Sequence, residues 1–273
     1  MTSPPFAPIP TGDGSSTFFS DEFGEWFHSR AGAIAEAEQT YVQVTRLVAL
    51  AQCCDQIAIL DVCYGLGYNS AAALAAIWRV NPHCQVTLRA LEIDAAVPQA
   101  AIAQHLTDSW PPLVKVALST LAQAHQHHTD TLDAQLLIGD ARQRLPDLQG
   151  WQADAIFLDP FSPTRCPQLW TVDFLQQVVA CLKPNGRVAT YSCAAAVRAA
   201  LVALDLQIGA TPAAGRQWPG TVASLTETAL PPLSLREQAH LETRAAVPYR
   251  DPTLRATAAE LWQNEPSDSS IRP

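Results

Sequence analysis

Residues 57–70 read I-A-I-L-D-V-C-Y-G-L-G-Y-N-S. From Ile57 to Val62 the run is apolar except for Asp61, the pattern of a strand buried on both faces of a parallel sheet. Gly65 and Gly67 permit a tight turn, and the alanine-rich stretch from Ser70 to Val80 reads as a helix. Strand, glycine turn and helix in succession form the first unit of a doubly wound α/β sheet, where ligands bind beyond the carboxyl ends of the strands. The same alternation continues outward. Strands are expected at 86–92, 134–138, 155–158, 187–191, 207–210 and 221–225, and helices from Asp94 toward Leu106, over 172–182 and over 194–204. The expected fold is therefore Rossmann-like, with a mostly parallel sheet of seven strands and no internal repeat.

The two ends decorate this core. Four prolines among the first ten residues suggest a disordered leader over 1–10. The main domain is expected over 11–229, with an N-terminal cap at 11–52, and a proline-punctuated arm over 230–273. In the cap, T-G-D-G-S-S-T (11–17) is turn material and Phe18–Phe19 a short strand. Ser20, Asp21 and Glu22 read as the start of a helix carrying Glu25 and His28, and residues 33–51 as a second helix. Residues 110–130 look like an insertion in which His125, His127 and His128 form a solvated helix face. No carboxylate or cysteine has the spacing to make them a metal site, so no metal is expected.

A chain of 273 residues, 48% apolar, suffices for one sizeable core. No run of about 18 apolar residues spans a membrane, and the N-terminus has no signal-peptide pattern, so a cytoplasmic protein is expected. Seven scattered cysteines without a C-x-x-C pair fit reduced thiols. The net charge of −9 excludes a wholly basic nucleic-acid-binding surface. It leaves room for a local rim, for which Arg142, Arg144, Arg165, Arg187, Arg198 and Arg216 lie in or near strand-end loops.

The chemistry concentrates at the strand ends. Asp61, Gly65 and Gly67 bring the backbone close to a ligand, and Glu92, closing the next strand, can accept hydrogen bonds from ribose hydroxyls. A nicotinamide site would share these features. Ser70, where a dinucleotide fingerprint would place its third glycine, shifts the reading to an adenosine without pyrophosphate. Asp140 follows the third strand, where it can bond the adenine amine or cap the next helix. Residues 160–170 (P-F-S-P-T-R-C-P-Q-L-W) contain three prolines and read as an active-site loop. The preceding Asp159, with Pro160 and Phe161, resembles the D-P-P-Y motif of amine-directed methyltransferases. A carboxylate there can accept an amine's hydrogens while its lone pair is aligned for transfer.

Larger blocks carry a more specific likeness. T-G-D-G-S-S-T and S-D-E-F-G-E-W-F-H-S-R-A-G-A-I-A-E resemble the T-x-D-G-S-x-T and S-x-x-F-x-E-x-x-H-S-x-x-G-A-x-x-E blocks of the MnmC methyltransferase family. I-L-D-V-C-Y-G-L-G-Y-N, G-D-A-R-Q-R-L-P and F-L-D-P-F-S-P-T-R-C-P-Q-L-W continue the resemblance, which covers roughly residues 11–225. It implies a class I methyltransferase using S-adenosyl-L-methionine, bound by Gly65, Gly67, Glu92 and Asp140. The implied substrate is the amine of 5-aminomethyl(-2-thio)uridine at the wobble position of tRNA, with Asp159 beside it. Phe161, Glu25, His28 and Ser29 would edge the pocket, and Arg165 and Arg216 would contact tRNA phosphates. Cys63 replaces a family glycine beside the methionine carboxylate, and Pro160 and Cys166 replace glycine and asparagine in the substrate loop. The chain is expected to be a stand-alone methyltransferase domain lacking the family's flavin-dependent oxidase. The competing readings are methylation of a small-molecule amine or another RNA base, and a donor-binding protein without turnover.

Overall fold

The computed structural model describes residues 6–213 and 218–263. At its centre is an eight-stranded sheet in the spatial order Gln207–Ala210, Thr221–Ser224, Leu182–Thr190, Ala153–Leu158, Gln56–Val62, Gln85–Glu92, Leu132–Ile138, Gln126–His128. The five strands from Leu182–Thr190 to Leu132–Ile138 pair in parallel, while Thr221–Ser224 and the edge strand Gln126–His128 run against their neighbours. The chain winds one way from Gln56–Val62 to Gln85–Glu92 and the other way to Ala153–Leu158. That reversal opens a crevice at their carboxyl ends.

The first strand is apolar on both faces because each face meets a separate core. Ile57 and Ile59 face the layer built on the helix Tyr68–Val80, whereas Leu60 and Val62 face the layer containing Phe174 and Val197. The expected parallel strands form with starts shifted by at most two residues, except the one expected at 187–191, which begins at Leu182 and pairs irregularly with Ala153–Leu158 between Leu182 and Arg187. The eighth strand, Gln126–His128, lies within the expected insertion. His125 ends the helix Pro112–Ala124 in a left-handed conformation (φ 60°), and His127 and His128 lie on the sheet edge rather than on a helix face. His128 Nδ1 lies 2.8 Å from Asp133 Oδ1 on the adjoining strand.

The cap differs most from the expectation. Ile9–Pro10 pairs with Ser16–Thr17, and Phe6 packs on Phe18 at 5.5 Å, so this part of the expected leader is ordered. Ser20 starts no helix. Phe19–Ser20 and Glu25–Trp26 form a hairpin, closed by the Gly24 amide donating to Ser20 O (2.8 Å) and by Phe19 against Trp26 at 4.8 Å. Gly24 takes φ 65°, and this turn with the aromatic pair outweighs the local capping signal. The helix expected at 33–51 is broken into Ala33–Glu36, a π-helical segment Ala37–Val42 and Leu47–Cys53, with Arg46 left-handed at φ 57°. The T-G-D-G-S-S-T block is the clamp for this region. Asp13 accepts bonds from Thr11 Oγ1 (2.9 Å), the Ser15 amide (3.0 Å) and the Ala35 amide (2.9 Å). Burial works to raise the Asp13 pKa, but these bonds and that of the Ser15 hydroxyl outweigh it and leave the pKa lowered.

Beyond the sheet, residues 230–263 carry the helices Leu235–Leu241 and Ala258–Gln263. The turn between them buries Asp251 to 3% exposure.

Candidate active site

A cavity of about 630 Å³ occupies the crevice, walled by the carboxyl ends of the strands on one side and the cap hairpin on the other. Cys63, Gly65, Glu92, Ile93, Asp140 and Asp159 line the strand side, and Glu25, Phe27 and His28 the cap side.

The glycine turn forms its floor. Gly65 at φ 55° presents its amide to Glu92 Oε2 at 2.8 Å, and the Asp94 amide donates to Oε1 at 3.0 Å. Burial raises the Glu92 pKa against these backbone bonds. Each carboxylate oxygen retains a second lone pair with which to meet a ribose hydroxyl. Gly67, at φ 83°, lies behind the cavity wall and caps the helix Tyr68–Val80; a Cβ there would sit 2.7 Å from the Tyr64 hydroxyl. Asp61 also lies behind the turn, fully buried. Its Oδ2 accepts the Ser70 hydroxyl at 2.6 Å, and its Oδ1 has no hydrogen-bond partner. Burial pushes its pKa to about 7. Among the expected donor residues, Gly65, Glu92 and Asp140 therefore line the cavity, while Gly67 and Asp61 shape the turn from behind.

Cys63 sits in the cavity wall in a left-handed conformation (φ 70°), which a side chain adopts at a cost of about 1–2 kcal/mol. Burial pushes its thiol pKa well up, which favours the neutral thiol. Ile93 follows Glu92 with 63% of its surface exposed, an apolar side chain suited to the face of a purine.

Asp140 accepts the Arg142 amide at 2.9 Å, as a cap of the short helix Ala141–Arg144, and also receives the Arg142 guanidinium at 2.7 Å. Both expected roles for Asp140 are sterically compatible, because the capped carboxylate still borders the cavity.

Asp159 follows the strand Ala153–Leu158. Its Oδ1 accepts the Tyr41 hydroxyl at 2.5 Å and its Oδ2 the Asn69 amide at 2.8 Å. Tyr41 comes from the π-helical segment and Asn69 from the first turn after the glycine loop, so two buried donors aim the carboxylate. Neither was marked by the sequence. The following loop is pinned at Pro160 O by the Tyr191 hydroxyl (2.8 Å) and at Phe161 O by Trp170 Nε1 (2.8 Å). Phe161 stacks on Phe23 at 4.5 Å and meets Phe27 edge-on at 5.1 Å.

Glu25 joins the two walls. Its carboxylate accepts the Ser162 amide at 2.9 Å and the Ser162 hydroxyl, which ties the cap hairpin to the Asp159 loop. His28 is 5% exposed and packs edge-on against Tyr68 at 5.0 Å.

The expected arginine rim is smaller in the structure. Arg187 is engaged with Glu227 (2.7 Å) and Val44 O (2.6 Å), and Arg198 is buried against Glu237 (2.8 Å) and Thr221 (2.9 Å). Arg142 is held by Asp140 and Asp251, so these three are internal counter-charges. Arg144 faces Asp147 at 3.2 Å. Arg165 is exposed, its guanidinium 3.7 Å from where a Gly24 Cβ would stand, and Arg216 lies outside the described residues.

The arrangement is a pocket for an adenosine-type ligand beside an oriented carboxylate. Acidic groups outnumber basic ones in its lining, which suits a cationic sulfonium and an amine. Comparison with known proteins agrees. A family described as S-adenosyl-L-methionine-dependent methyltransferase matches residues 99–226. The crystal structure of MnmC2 from Aquifex aeolicus superposes with a TM-score of 0.80 at 32% identity, covering 94% of this chain and 82% of that one. The tRNA 5-methylaminomethyl-2-thiouridine biosynthesis bifunctional protein MnmC of Burkholderia multivorans is 32% identical over 68% of this chain and 30% of its own length. An uncharacterized protein of Methanocaldococcus jannaschii is 28% identical over 94% of this chain and 70% of its own. The chain belongs to the MnmC family of S-adenosyl-L-methionine-dependent methyltransferases. It spans under a third of the bifunctional Burkholderia relative.

Proposed function

We propose that this enzyme methylates the amine of 5-aminomethyl(-2-thio)uridine at the wobble position of tRNA. The observation that carries the reading is the Asp159 carboxylate, fixed by Tyr41 and Asn69 at the mouth between the glycine turn and the aromatic cap. The relatives named for 5-methylaminomethyl-2-thiouridine biosynthesis in tRNA support the substrate.

In this reading Gly65, Glu92 and Asp140 hold the donor, with Ile93 against the adenine. When bound, S-adenosylmethionine supplies an electrophilic methyl group on a sulfonium. With the substrate bound as the free amine, the ionised Asp159 carboxylate accepts one of its N–H groups and holds the lone pair in line with the methyl group. As the nitrogen–carbon bond forms and the sulfur–carbon bond breaks, leaving S-adenosylhomocysteine, Asp159 stabilises the positive charge gathering on the nitrogen and then accepts the proton that the methylated nitrogen sheds. Phe161, Phe23 and Phe27 exclude water from that side, and Glu25 holds their loop and hairpin together. Arg165 contributes a phosphate contact at the rim.

The test is incubation of the purified protein with S-adenosylmethionine and tRNA carrying the aminomethyl nucleoside, followed by nucleoside mass analysis. One methyl group added at the wobble uridine is the expected product; methylation elsewhere in the tRNA overturns the assignment. The internal pairing of Arg142, Arg187 and Arg198 favours a second reading, a small-molecule amine with few phosphate contacts. Transfer to free amines but not to tRNA in the same assay would select it.

A further inference from the structure

The short helix that carries Asp140 is clasped by the C-terminal turn. Arg142 presents Nη2 (2.7 Å) and Nε (3.1 Å) to the Asp140 carboxylate while its Nη1 reaches Asp251 Oδ2 at 3.3 Å and Ala256 O at 2.8 Å. Asp251 is itself set by bonds from Thr253 Oγ1 (2.7 Å) and the Ala256 amide (3.0 Å). Gln143 Nε2 adds a bond to Leu254 O at 3.1 Å. A second anchor, Asp173, fastens the same turn to the helix Val172–Ala180 without touching Arg142, accepting Arg250 Nη2 at 2.9 Å and the backbone amide of Asp251 at 2.7 Å.

Two carboxylates thus share one guanidinium, and they differ in setting. Asp140 borders the cavity, whereas Asp251 is buried outside it. Asp140 is also held by the Arg142 amide at 2.9 Å and Nη1 also by Ala256 O, so the charge of Asp251, more than a hundred positions downstream, acts on the orientation in which the guanidinium fork meets Asp140. Without that charge Nη1 keeps only the Ala256 carbonyl, and the fork presents Nε and Nη2 less firmly to the Asp140 carboxylate.

We infer that Asp251 is a positioning residue for donor binding, acting through Arg142 on Asp140, so that docking of the C-terminal turn completes the adenine end of the site. The inference rests on the reading of the cavity as the S-adenosylmethionine site. It assigns a task to residues 248–256, which lie beyond the family match at 99–226.

The experiment is calorimetric titration of full-length variants with S-adenosylhomocysteine, alongside thermal unfolding. Asp251→Asn keeps the shape of the turn but removes the charge that restrains Arg142. It is expected to weaken binding about tenfold, the order of coupling found within one hydrogen-bond network. Arg142→Lys, which keeps the charge and loses the fork, is expected to do the same and serves if Asp251→Asn does not fold. The double variant Asp251→Asn/Arg142→Lys should bind no more weakly than Arg142→Lys alone. Arg250→Ala, which loosens the turn at its other anchor, should lower the unfolding temperature with binding changed by less than about twofold. Asp140→Asn separates the possible failures. Weakened binding in Asp140→Asn with wild-type affinity in Asp251→Asn overturns the relay and leaves the donor site standing. Wild-type affinity in Asp140→Asn overturns both. Equal weakening by Arg250→Ala and Asp251→Asn also overturns the relay, reducing the turn to general support.

Discussion

Asp61→Asn should change how stability depends on pH, because Asp61 is a fully buried carboxyl whose pKa is raised by burial to about 7 from an ordinary 3.8. The folded protein therefore binds a proton at this site that the unfolded chain has already released in the range between those values. Stability from this group is fully present below about pH 4 and is lost as pH rises through about 7. Between about pH 5.5 and about pH 8.5 the unfolded side chain gains about 3 log units of deprotonation and the folded one about half that. The difference is a loss of about 2 kcal/mol. Asparagine keeps an oxygen for the Ser70 hydroxyl but cannot ionise, so the variant should lack this loss. Burying its amide beside the unpartnered Oδ1 position adds a pH-independent cost of about 1–3 kcal/mol, measured against wild type with Asp61 protonated, and leaves the slope of the variant unaffected. Urea unfolding of both proteins at the two pH values, without cofactor, gives the comparison. Glu92 also titrates with a raised pKa, but it is common to both proteins and largely cancels. An identical fall in stability for wild type and Asp61→Asn would refute the buried, proton-binding Asp61.

Other consequences follow from the same geometry. Gly67→Ala forces a side chain into φ 83° and toward the Tyr64 hydroxyl, and should destabilise the protein by about 1–3 kcal/mol in urea unfolding. Glu25→Ala cuts the tie between the cap hairpin and the Ser162 loop. It should raise KM for tRNA and lower kcat while leaving the Kd for S-adenosylhomocysteine unchanged, and a change confined to that Kd would count against the tie. Arg187→Ala removes the more buried partner of Glu227, which keeps its bonds to the half-exposed Arg46, and leaves Val44 O without its donor. It should cost about 1–3 kcal/mol of stability without changing the salt dependence of tRNA binding, whereas Arg165→Ala should reduce that dependence by about one phosphate contact.

The parallel centre of the sheet is legible because short apolar runs are bounded by turn residues, three of them closing on Glu92, Gly139 and Asp159, whereas Gln126–His128, a polar edge strand, carries no such pattern. Asp159 and its loop were legible because three prolines after a strand exclude regular structure. The partners of Asp159 were not. Tyr41 and Asn69 lie 118 and 90 residues away in sequence, and nothing local marks a tyrosine in a helix as a carboxylate's donor. The cap hairpin is hidden in the sequence for the opposite reason. Ser20-Asp21-Glu22 carries a genuine helix-start signal, which the Gly24 turn and the Phe19–Trp26 contact override. Arg187 and Arg198 looked like rim residues because a strand-end arginine is normally solvated; their burial depends on Glu227 and Glu237, contributed from beyond the last strand.

The most direct measurement is a single-turnover assay with labelled S-adenosylmethionine already bound and tRNA bearing the aminomethyl nucleoside added, for wild type and Asp159→Ala. Wild type is expected to yield a labelled methylaminomethyl nucleoside at the wobble position, and the variant to retain donor binding with transfer slowed at least about 100-fold. A wild-type protein that holds the donor yet leaves that nucleoside unlabelled, or a variant that transfers as fast as wild type, would rule out Asp159-assisted transfer to the wobble amine.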